Sequence, residues 1–514
     1  MKIISQISKY KKEIFFGLFI ITAFLATRLP NLLNFPIFTD EAIYVRWTQI
    51  ALNDASWRFI SLTDGKQPSF IWLGMVFLKI FQEPLLSLRL VSVASGLFTM
   101  AGLFLLTYEL FKSKKAAFLS TLIYIVFPFA VVYDRLALYD SLLSAFTIWA
   151  LYFAVLLIRK IRLDIAIILG FFIGGAMLTK SSGIFSAYLL PTTFLLFDFK
   201  NKLWKKDLIK WALFAIFAFL IANAFSNIIK LSPFAHIITE KNAIFVSPVS
   251  EWLKNPFLNL EGNLRGLSDW LFTYLTPFFT FLIAISLITI KKFPREKLLL
   301  MAYFLLPFIA LALFGRVLFP RFILFMVIPL IPLVSMGLIE IIDTSNKFFK
   351  ERKINSYYTI SGLIVIFFLI YPAKVALDFI FSPSQARIAD ADVRQYISDW
   401  PSGGGIAESI DFFEKEASNK KIFIATEGTF GLLPYGLEIY LGNNPNILIK
   451  GYWPIEQFPR ELLEQEEGTV YFVFYQPCPG CDYAGDAPDN WPLKLIKKYK
   501  KSDNSFLSIY LVEK

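Results

Sequence analysis

The sequence predicts a polytopic α-helical membrane protein that ends in an α/β domain. Of its 514 residues, 56% are hydrophobic and 17% aromatic, with a mean hydropathy of +0.57, whereas soluble domains have about 45–50% apolar residues. Uncharged apolar runs recur along residues 13–380. Runs of roughly 18 such residues are long enough to cross about 30 Å of hydrocarbon as helices. Beyond this region Gly, Pro, Asp and Glu return, as in a globular domain.

The formal net charge of +11 is distributed in short basic clusters between the apolar runs. This is the arrangement of cytoplasmic loops in membrane proteins, so the charge indicates topology and not a nucleic-acid partner. The N-terminal lysines precede an apolar run of spanning length without a small-residue cleavage site. We therefore expect a retained first helix with a cytoplasmic N-terminus.

Placing each basic cluster on the cytoplasmic side predicts about eleven spans. They are expected at 14–30, 89–111, 116–133, 141–158, 164–179, 183–198, 208–229, 269–290, 297–314, 321–341 and 356–377. The apolar piece 69–82 has only about 14 residues, which favours an interfacial or re-entrant helix on the outer face. The predicted membrane domain is residues 1–381, with outer loops at about 31–88 and 231–268.

Residues 382–514 are predicted to form an extracytoplasmic α/β domain. Its first segment, SPSQARIADADVRQYISDW, is typical of a helix with a serine at its start. The segments KIFIATE, NILIKGY, TVYFVFYQ and SFLSIYLVE are typical of short strands, and SGGG and GNNPN of turns or loops. Cys478 and Cys481 form a CPGC motif. The motif is compatible with a local disulfide and with two free thiols. A redox or zinc site is disfavoured, because no partner Cys or His lies nearby in the sequence.

Two adjacent carboxylates, Asp40 and Glu41, follow the first predicted span in the stretch FTDEAIYVRW. A carboxylate that takes a proton from an acceptor hydroxyl must lie within hydrogen-bond reach of it, and a second carboxylate raises its basicity or helps to hold a metal. The same pair would also suit a helix N-terminus, capped by Thr39 or Asp40 and favoured by the charge of Glu41. The sequence leaves both interpretations open.

A second acidic set lies in YDRLALYDSLL, where a span meets the predicted outer surface. Asp134 could pair with Arg135, and Asp140 could cap the returning helix. The lone histidine, His236, lies in the large outer loop, where it is either structural or, with carboxylates from elsewhere, a metal ligand.

Four cations fall at the outer ends of apolar segments: Lys66, Lys180, Arg316 and Arg321. Each taken singly is typical of a side chain that reaches to lipid head groups. Together, four converging cations would bind a phosphate. A proton-coupled transporter more often places ionisable groups near the middle of the bilayer, whereas this chain concentrates them at the membrane rim.

The order of these pieces resembles the GT-C glycosyltransferases. TDEAIY, GKQPSF, VVYDRLALYDSLL, GGAMLTKSSGIF and FPRFILFMVIPLIPL follow one another along residues 10–380 as they do in that superfamily. The resemblance is to the branch of protein O-mannosyltransferases and lipid A aminoarabinose transferases, which use polyprenyl-phosphate-linked sugars. It extends loosely to the C-terminal domain.

The resemblance implies a role for each matching residue. Asp40 matches the catalytic acidic residue, with Glu41 as its neighbour, and Asp140 the acid after the third helix. Lys66 matches a lysine that contacts the carrier phosphate, although Gln-Pro follows it here and not the usual Pro-Pro.

Further matches lie later in the chain. Lys180 matches the lysine that closes the fifth helix. Arg321 and Phe322 match a pair that is often Arg-Tyr, so the tyrosine hydroxyl is missing here. Some relatives place a metal-binding histidine in the large outer loop, for which His236 is the candidate in this chain.

We therefore expect a plasma-membrane glycosyltransferase that moves a sugar from a polyprenyl-phosphate carrier to a hydroxyl of a protein or glycolipid, on the extracytoplasmic side and with inversion. Asp40 would be the general base, and a divalent metal is the one cofactor considered. The alternative is a lipid or glycan transporter or flippase that grips a phosphorylated head group. That alternative gives no special reason for the Asp40-Glu41 pair.

Overall fold

The structure, a computed structural model, describes residues 11–351, 357–465, 468–477 and 481–513. Its helices are numbered here in chain order. They are α1 Lys11–Arg28, α2 Thr39–Asn53, α3 Ser69–Ile80, α4 Pro84–Phe111, α5 Lys114–Val126, α6 Pro128–Tyr133, α7 Tyr139–Lys160, α8 Leu163–Thr179, α9 Phe185–Tyr188, α10 Trp204–Ser226, α11 Ile237–Phe245, α12 Val249–Trp252, α13 Leu260–Ile288, α14 Pro294–Phe314, α15 Leu324–Val327, α16 Ile331–Glu351, α17 Tyr357–Phe381, α18 Asp390–Val393, α19 Ile406–Ala417, α20 Leu432–Leu441 and α21 Glu461–Glu464.

Short 3₁₀ turns connect several of these helices. The turns that bear on function are Ile60–Asp64, Ser181–Ile184 and Pro320–Ile323. The strands are β1 Ile422–Glu427, β2 Ile447–Tyr452, β3 Thr469–Phe474, β4 Leu493–Ser502 and β5 Ser505–Val512.

The chain divides into two compact units. The first, called the helical unit, comprises the described residues of Met1–Leu32, Ser61–Phe70 and Arg89–Ala389. The second, called the sheet unit, comprises the described residues of Leu33–Ile60, Ile71–Leu88 and Asp390–Lys514. The sheet unit therefore contains α2, which carries Asp40 and Glu41.

The prediction of a polytopic helical membrane protein is confirmed. Among the described residues, seven helices are long and apolar enough to cross a membrane: Pro84–Phe111, Tyr139–Lys160, Trp204–Leu231, Leu260–Ile288, Pro294–Phe314, Pro320–Glu351 and Tyr358–Phe381. Four shorter apolar helices lie at Ile14–Arg28, Ser69–Ile80, Leu163–Thr179 and Ser181–Leu196. The predicted count of eleven spans is not confirmed.

Proline explains why one predicted span is not continuous. The segment 116–133 is divided between α5, which ends at Val126, and α6, which begins at Pro128. Proline lacks the amide hydrogen that a helix interior uses, but it suits the first helical position. The same preference places Pro294 at the start of α14.

Two glycines let α8 and α10 pack closely in the helical unit. A Cβ atom at Gly170 would lie 2.7 Å from the Cβ of Ile221, and one at Gly174 would lie 2.8 Å from the ring of Phe225. Small residues four apart allow helix backbones to approach in membranes. This packing fixes α8, whose end carries Lys180.

The sheet unit contains one five-stranded mixed sheet in the order β2-β1-β3-β5-β4. The adjacent strands β2, β1 and β3 are parallel, and β5 pairs antiparallel with both β3 and β4. Every residue of β1 is buried, as a strand covered on both faces requires. The four strands predicted from the sequence are present, whereas β4, which is rich in lysine, was missed.

The segment 382–400 is not one continuous helix. It forms the turn Pro383–Gln385, the short helix α18 and a π-helical turn at Arg394–Ser398. Near the C-terminus Cys481 is disulfide-bonded, while Cys478 lies outside the described residues.

In the sheet unit, α2 packs against α20. The guanidinium of Arg46 donates to the Glu438 carboxylate at 2.7 Å, and Gln49 donates its amide to the carbonyl of Ile439 at 3.0 Å. The rings of Trp47 and Phe430 lie 6.0 Å apart. These contacts hold the helix that carries Asp40 against the C-terminal part of the chain.

Candidate functional site

Three of the four predicted phosphate-binding cations converge in the helical unit. The Lys66 ammonium lies 5.6 Å from the ring centre of Phe245, and the Lys180 ammonium lies 4.3 Å from that of Phe322. The Arg321 guanidinium carbon lies 5.9 Å from the same Phe322 ring, and the two rings are 6.0 Å apart. We call Lys66, Lys180 and Arg321 the basic cluster.

Lys180 is held at the centre of the basic cluster by an ion pair. Its ammonium donates to the carboxylate of Asp140 at 2.6 Å, and Asp140 is buried in the first turn of α7. Burial lowers the pKa of the Lys180 amine, Asp140 raises it, and the positive charges of Arg321 and Lys66 lower it further. The cations of the basic cluster repel one another, and a bound anion would relieve that repulsion.

Arg321 and Phe322 lie on the turn Pro320–Ile323. The Arg321 guanidinium carbon is 4.7 Å from the ring centre of Phe319, an arrangement that stabilises a cation over an aromatic face. Phe322 lacks the hydroxyl that the family resemblance led us to seek. Its ring contacts the Lys180 ammonium, so the position still serves the cluster through its aromatic face.

Two hydrogen bonds fasten the Lys66 segment to the residues on either side of Lys180. Gln67 donates its side-chain amide to the Ser181 hydroxyl at 2.8 Å. The hydroxyls of Ser69 and Thr179 are also 2.8 Å apart. These roles were not predicted from the sequence, in which Gln67 stands out only as a departure from Pro-Pro. The polar residues on either side of Lys180 were the available signal.

Gly65 allows a close approach just before Lys66. Its φ is +66°, and a Cβ there would lie 2.6 Å from the Cβ of Lys241. Lys241 in turn donates to the carboxylate of Asp64 at 2.5 Å. Any side chain at Gly65 would therefore be strained and would displace α11, whose last residue is Phe245.

Arg316 lies outside the basic cluster as we define it. Its guanidinium donates to the Glu251 carboxylate, to the Ser247 hydroxyl at 3.1 Å and to the Ala243 carbonyl at 3.0 Å. Its backbone amide donates to the carbonyl of Phe245 at 2.8 Å. Arg316 therefore fastens the segment that carries the Phe245 ring.

Asp134 belongs to a separate buried network. It accepts from Arg28 at 3.2 Å, from the Tyr124 hydroxyl at 3.1 Å and from the Ser141 hydroxyl at 2.8 Å. The suggested Asp134–Arg135 pair is replaced by Asp134–Arg28, and Arg135 donates instead to the backbone carbonyl of Arg28 at 2.6 Å. This network joins α1 to α5, α6 and α7.

The acidic pair lies in the sheet unit, in the first turn of α2. Glu41 is fully buried and its carboxylate accepts from the backbone amide of Phe38 at 3.0 Å. This bond satisfies an amide at the helix start, as one half of a capping box does. Asp40 is only partly buried. The two neighbouring carboxylates thus have different environments, and Asp40 is the more accessible.

His236 is exposed, and its Nδ1 lies 2.9 Å from the Pro233 carbonyl. Within the ranges given above, no group of three or more His, Cys, Asp or Glu side chains is arranged to hold a metal ion. The assignment of His236 as a metal ligand stays a prediction.

Comparison with known proteins places this geometry in context. Residues 66–227, which include Lys66, Asp140 and Lys180, match the model of the family described as dolichyl-phosphate-mannose-protein mannosyltransferase. The crystal structure of ArnT from Cupriavidus metallidurans in the apo state aligns with a TM-score of 0.57 at 13% identity, covering 98% of each chain. The structure of that protein bound to undecaprenyl phosphate aligns with a TM-score of 0.54, at the same identity and coverage. No curated protein matches the chain.

Proposed function

We propose that this chain, whose fold is that of the GT-C glycosyltransferases, transfers a sugar from a polyprenyl-phosphate carrier to an acceptor hydroxyl with inversion at C1. The observation that carries the proposal is the convergence of Lys66, Lys180 and Arg321 on one pair of aromatic rings. The match to the mannosyltransferase family begins at the first of these cations. The ligand of the related ArnT structure, undecaprenyl phosphate, has the chemistry that such a cluster would bind.

The basic cluster would bind the phosphate of the donor. A sugar linked to polyprenyl phosphate carries one negative charge on the phosphate, and the released lipid phosphate gains a second, with a pKa of about 6. Because this negative charge grows as the bond breaks, fixed cations stabilise the transition state more than the ground state. Lys66, Lys180 and Arg321 would therefore favour departure of the lipid phosphate without a proton from an acid.

Asp40 would act as the general base. Its carboxylate takes the proton of the acceptor hydroxyl while that oxygen forms a bond to C1 of the sugar. The bond from C1 to the phosphate oxygen breaks through an oxocarbenium-like state, and its electron pair stays on the phosphate. Attack from the face opposite the phosphate inverts C1. Glu41 is fully buried and binds the amide at the helix start, whereas Asp40 is the more accessible carboxylate and is therefore the proposed proton acceptor.

Asp140 would tune the basic cluster. Its ion pair with Lys180 fixes the direction of the ammonium before the donor arrives. Preorganised groups of this kind need not reorient during the reaction.

The proposed topology follows the basic loops, with a cytoplasmic N-terminus and an extracytoplasmic C-terminal domain in the plasma membrane. The acceptor would be a hydroxyl of a protein or a glycolipid.

The test uses the purified full chain in detergent. Polyprenyl-phosphate mannose and polyprenyl-phosphate aminoarabinose, each labelled in the sugar, are supplied with a membrane extract as the source of acceptor. Release of polyprenyl phosphate together with labelled acceptor supports a transferase, whereas a transporter moves the lipid and leaves its bond intact. Asp40→Asn should abolish release in a folded protein, and release at the parental rate would overturn the assignment of the base.

A matched pair of lysine variants tests the donor site. Lys66→Ala should raise the KM for the donor, with recovery at high donor concentration. Lys200→Ala replaces an exposed lysine of the helical unit and should leave the KM unchanged.

A further inference from the structure

A partly buried lysine of the sheet unit holds the segment on which the Asp40 helix begins. Lys501 is the last lysine of β4, and its ammonium donates to the carbonyls of Trp400 at 3.1 Å and Ser402 at 2.6 Å. The residue between them, Pro401, accepts from Thr39 through its own carbonyl. Both the backbone amide of Thr39, at 3.2 Å, and its hydroxyl, at 2.8 Å, donate to this oxygen.

The two segments are joined beyond these hydrogen bonds. Phe38 and Ser402 form an antiparallel bridge, and the Phe38 ring packs edge-on against Tyr396 at 4.8 Å. A Cβ at Gly403 would overlap with the carbonyl of Ile37. Residues 400–403 therefore lie directly against residues 37–39, with no room for a side chain at position 403.

The surroundings of Lys501 differ from those of a surface lysine whose ammonium is bound only by water. Its ammonium lies 5.3 Å from the ring centre of Tyr475. Burial lowers its pKa to about 7, against the opposing charges of Asp399 and Glu427. An ammonium withdrawn from water is costly unless it is hydrogen-bonded, and here two of its hydrogens bind carbonyls two residues apart in one loop.

We propose that Lys501 is a positioning residue for Asp40: by holding the carbonyls of Trp400 and Ser402, it fixes the loop that sets the first turn of α2. This inference rests on the proposed function, in which Asp40 takes the acceptor proton. The C-terminal segment would then contribute to catalysis through the backbone, without contact with the substrate.

Lys501→Met keeps most of the aliphatic stem and removes the ammonium. The matched control is Lys500→Met on the same strand, because Lys500 is exposed and pairs with exposed Asp503 at 2.7 Å. Lys501→Arg restores a cation that can donate to two carbonyls. All three variants are made in the full chain, and their thermal unfolding is compared with that of the parent.

The first measurement is hydrogen exchange of the peptide that contains residues 36–44, which needs no sugar donor. Lys501→Met should accelerate exchange at the Thr39 amide about tenfold or more, since the loop that accepts its hydrogen bond is released. Lys500→Met should leave it unchanged, and Lys501→Arg should restore most of the protection. Parental exchange in Lys501→Met would overturn the inference.

The second measurement is sugar transfer. Lys501→Met should lower kcat by about tenfold to a hundredfold, as small displacements of catalytic groups do, with the donor KM within about twofold of the parent because the basic cluster is untouched. Equal losses in Lys500→Met would overturn the inference. If Lys501→Met does not fold, Thr39→Val removes one bond to Pro401 and should lower kcat in the same way.

The experiments distinguish a failure of the proposed role of Asp40 from a failure of the proposed role of Lys501. Parental transfer by Asp40→Asn would refute the role of Asp40, while the exchange experiment would still decide whether Lys501 fixes the start of α2. Loss of transfer in Asp40→Asn, with parental kcat and exchange in Lys501→Met, would refute the positioning role alone.

Discussion

The ammonium of Lys180 lies 2.6 Å from the carboxylate of Asp140 and 4.3 Å from the ring centre of Phe322. Asp140 and Phe322, which are far apart in the chain, thus both contact the same cation. A lysine held in this way is directed before any ligand binds, and its remaining hydrogens can reach an incoming oxygen.

Phe322→Leu should weaken binding of the donor. Loss of the aromatic face removes about 0.5–2 kcal/mol of cation–π stabilisation, so affinity for undecaprenyl phosphate should fall about twofold to thirtyfold. Phe322→Tyr is the matched variant, since it keeps the aromatic face and adds a hydroxyl. Equilibrium binding of labelled undecaprenyl phosphate measures both, and equal affinity in the leucine and tyrosine variants would contradict the prediction.

Gln67 and Ser181 should act as one unit. Either Gln67→Leu or Ser181→Ala breaks the 2.8 Å bond between the Lys66 segment and the Lys180 segment. Each change should lower donor affinity about threefold to tenfold, the usual worth of one hydrogen bond. The double variant should be no worse than the poorer single variant, because contacting residues are not additive. Fully additive losses would show that the two side chains act independently.

The sheet unit should lose stability as the pH rises from about 4.5 to 7. Burial raises the pKa of Glu427 from its ordinary 4.5 to about 7, although the amides of Tyr475 and Gln476 oppose the shift. The folded state therefore retains a proton that the unfolded state has lost, so its stabilisation is complete below 4.5 and disappears as the pH reaches the folded pKa. The slope should approach about 1.4 kcal/mol per pH unit within this window.

Hydrogen exchange of the β1 and β3 amides, corrected for the intrinsic rate at each pH, measures that slope. Glu427→Gln should flatten it. Glu414→Gln, on an exposed position of α19, should not. An equally steep slope in Glu427→Gln would assign the dependence to another group.

Arg28→Met should destabilise the helical unit. It leaves Asp134 buried without its ion-pair partner, which costs about 3–5 kcal/mol in comparable sites. Arg162→Met breaks the exposed pair with Asp164 and should cost about 1 kcal/mol or less. Thermal unfolding in one detergent compares the two variants, and similar melting temperatures would show that the buried pair has no special weight.

Much of the fold could be predicted because its signals are local. A short stretch of sequence is enough to recognise a long apolar run, a basic loop or a strand rich in β-branched and aromatic residues. The lysine-rich strand β4 has no such pattern, since its pairing with β5 overrides its composition. The 382–400 segment carries a helix start signal, yet it forms only short helical turns before the 400–403 loop that Lys501 and Thr39 hold.

The residues of the candidate site could likewise be predicted from local motifs, whereas their long-range partners could not. The motifs identified Lys66, Lys180, Arg321 and Asp140, and the structure brings them together. The ion pairs of Arg316 with Glu251 and of Asp134 with Arg28 could not be predicted from the neighbouring sequence. In each pair the partner comes from a distant part of the chain. Gln67 looked like a departure from a motif, and only its bond to Ser181 explains it.

The sheet unit is assembled from Leu33–Ile60, Ile71–Leu88 and Asp390–Lys514, which has a consequence for engineering. A chimera that exchanged only residues 390–514 with those of a relative would confront α2 with a foreign α20 and a foreign 400–403 loop. The graft should therefore succeed only when the matching early segments travel with it. Recombination that keeps these three pieces together, or a split-protein design that re-joins them, is the practical way to transplant this part of the molecule.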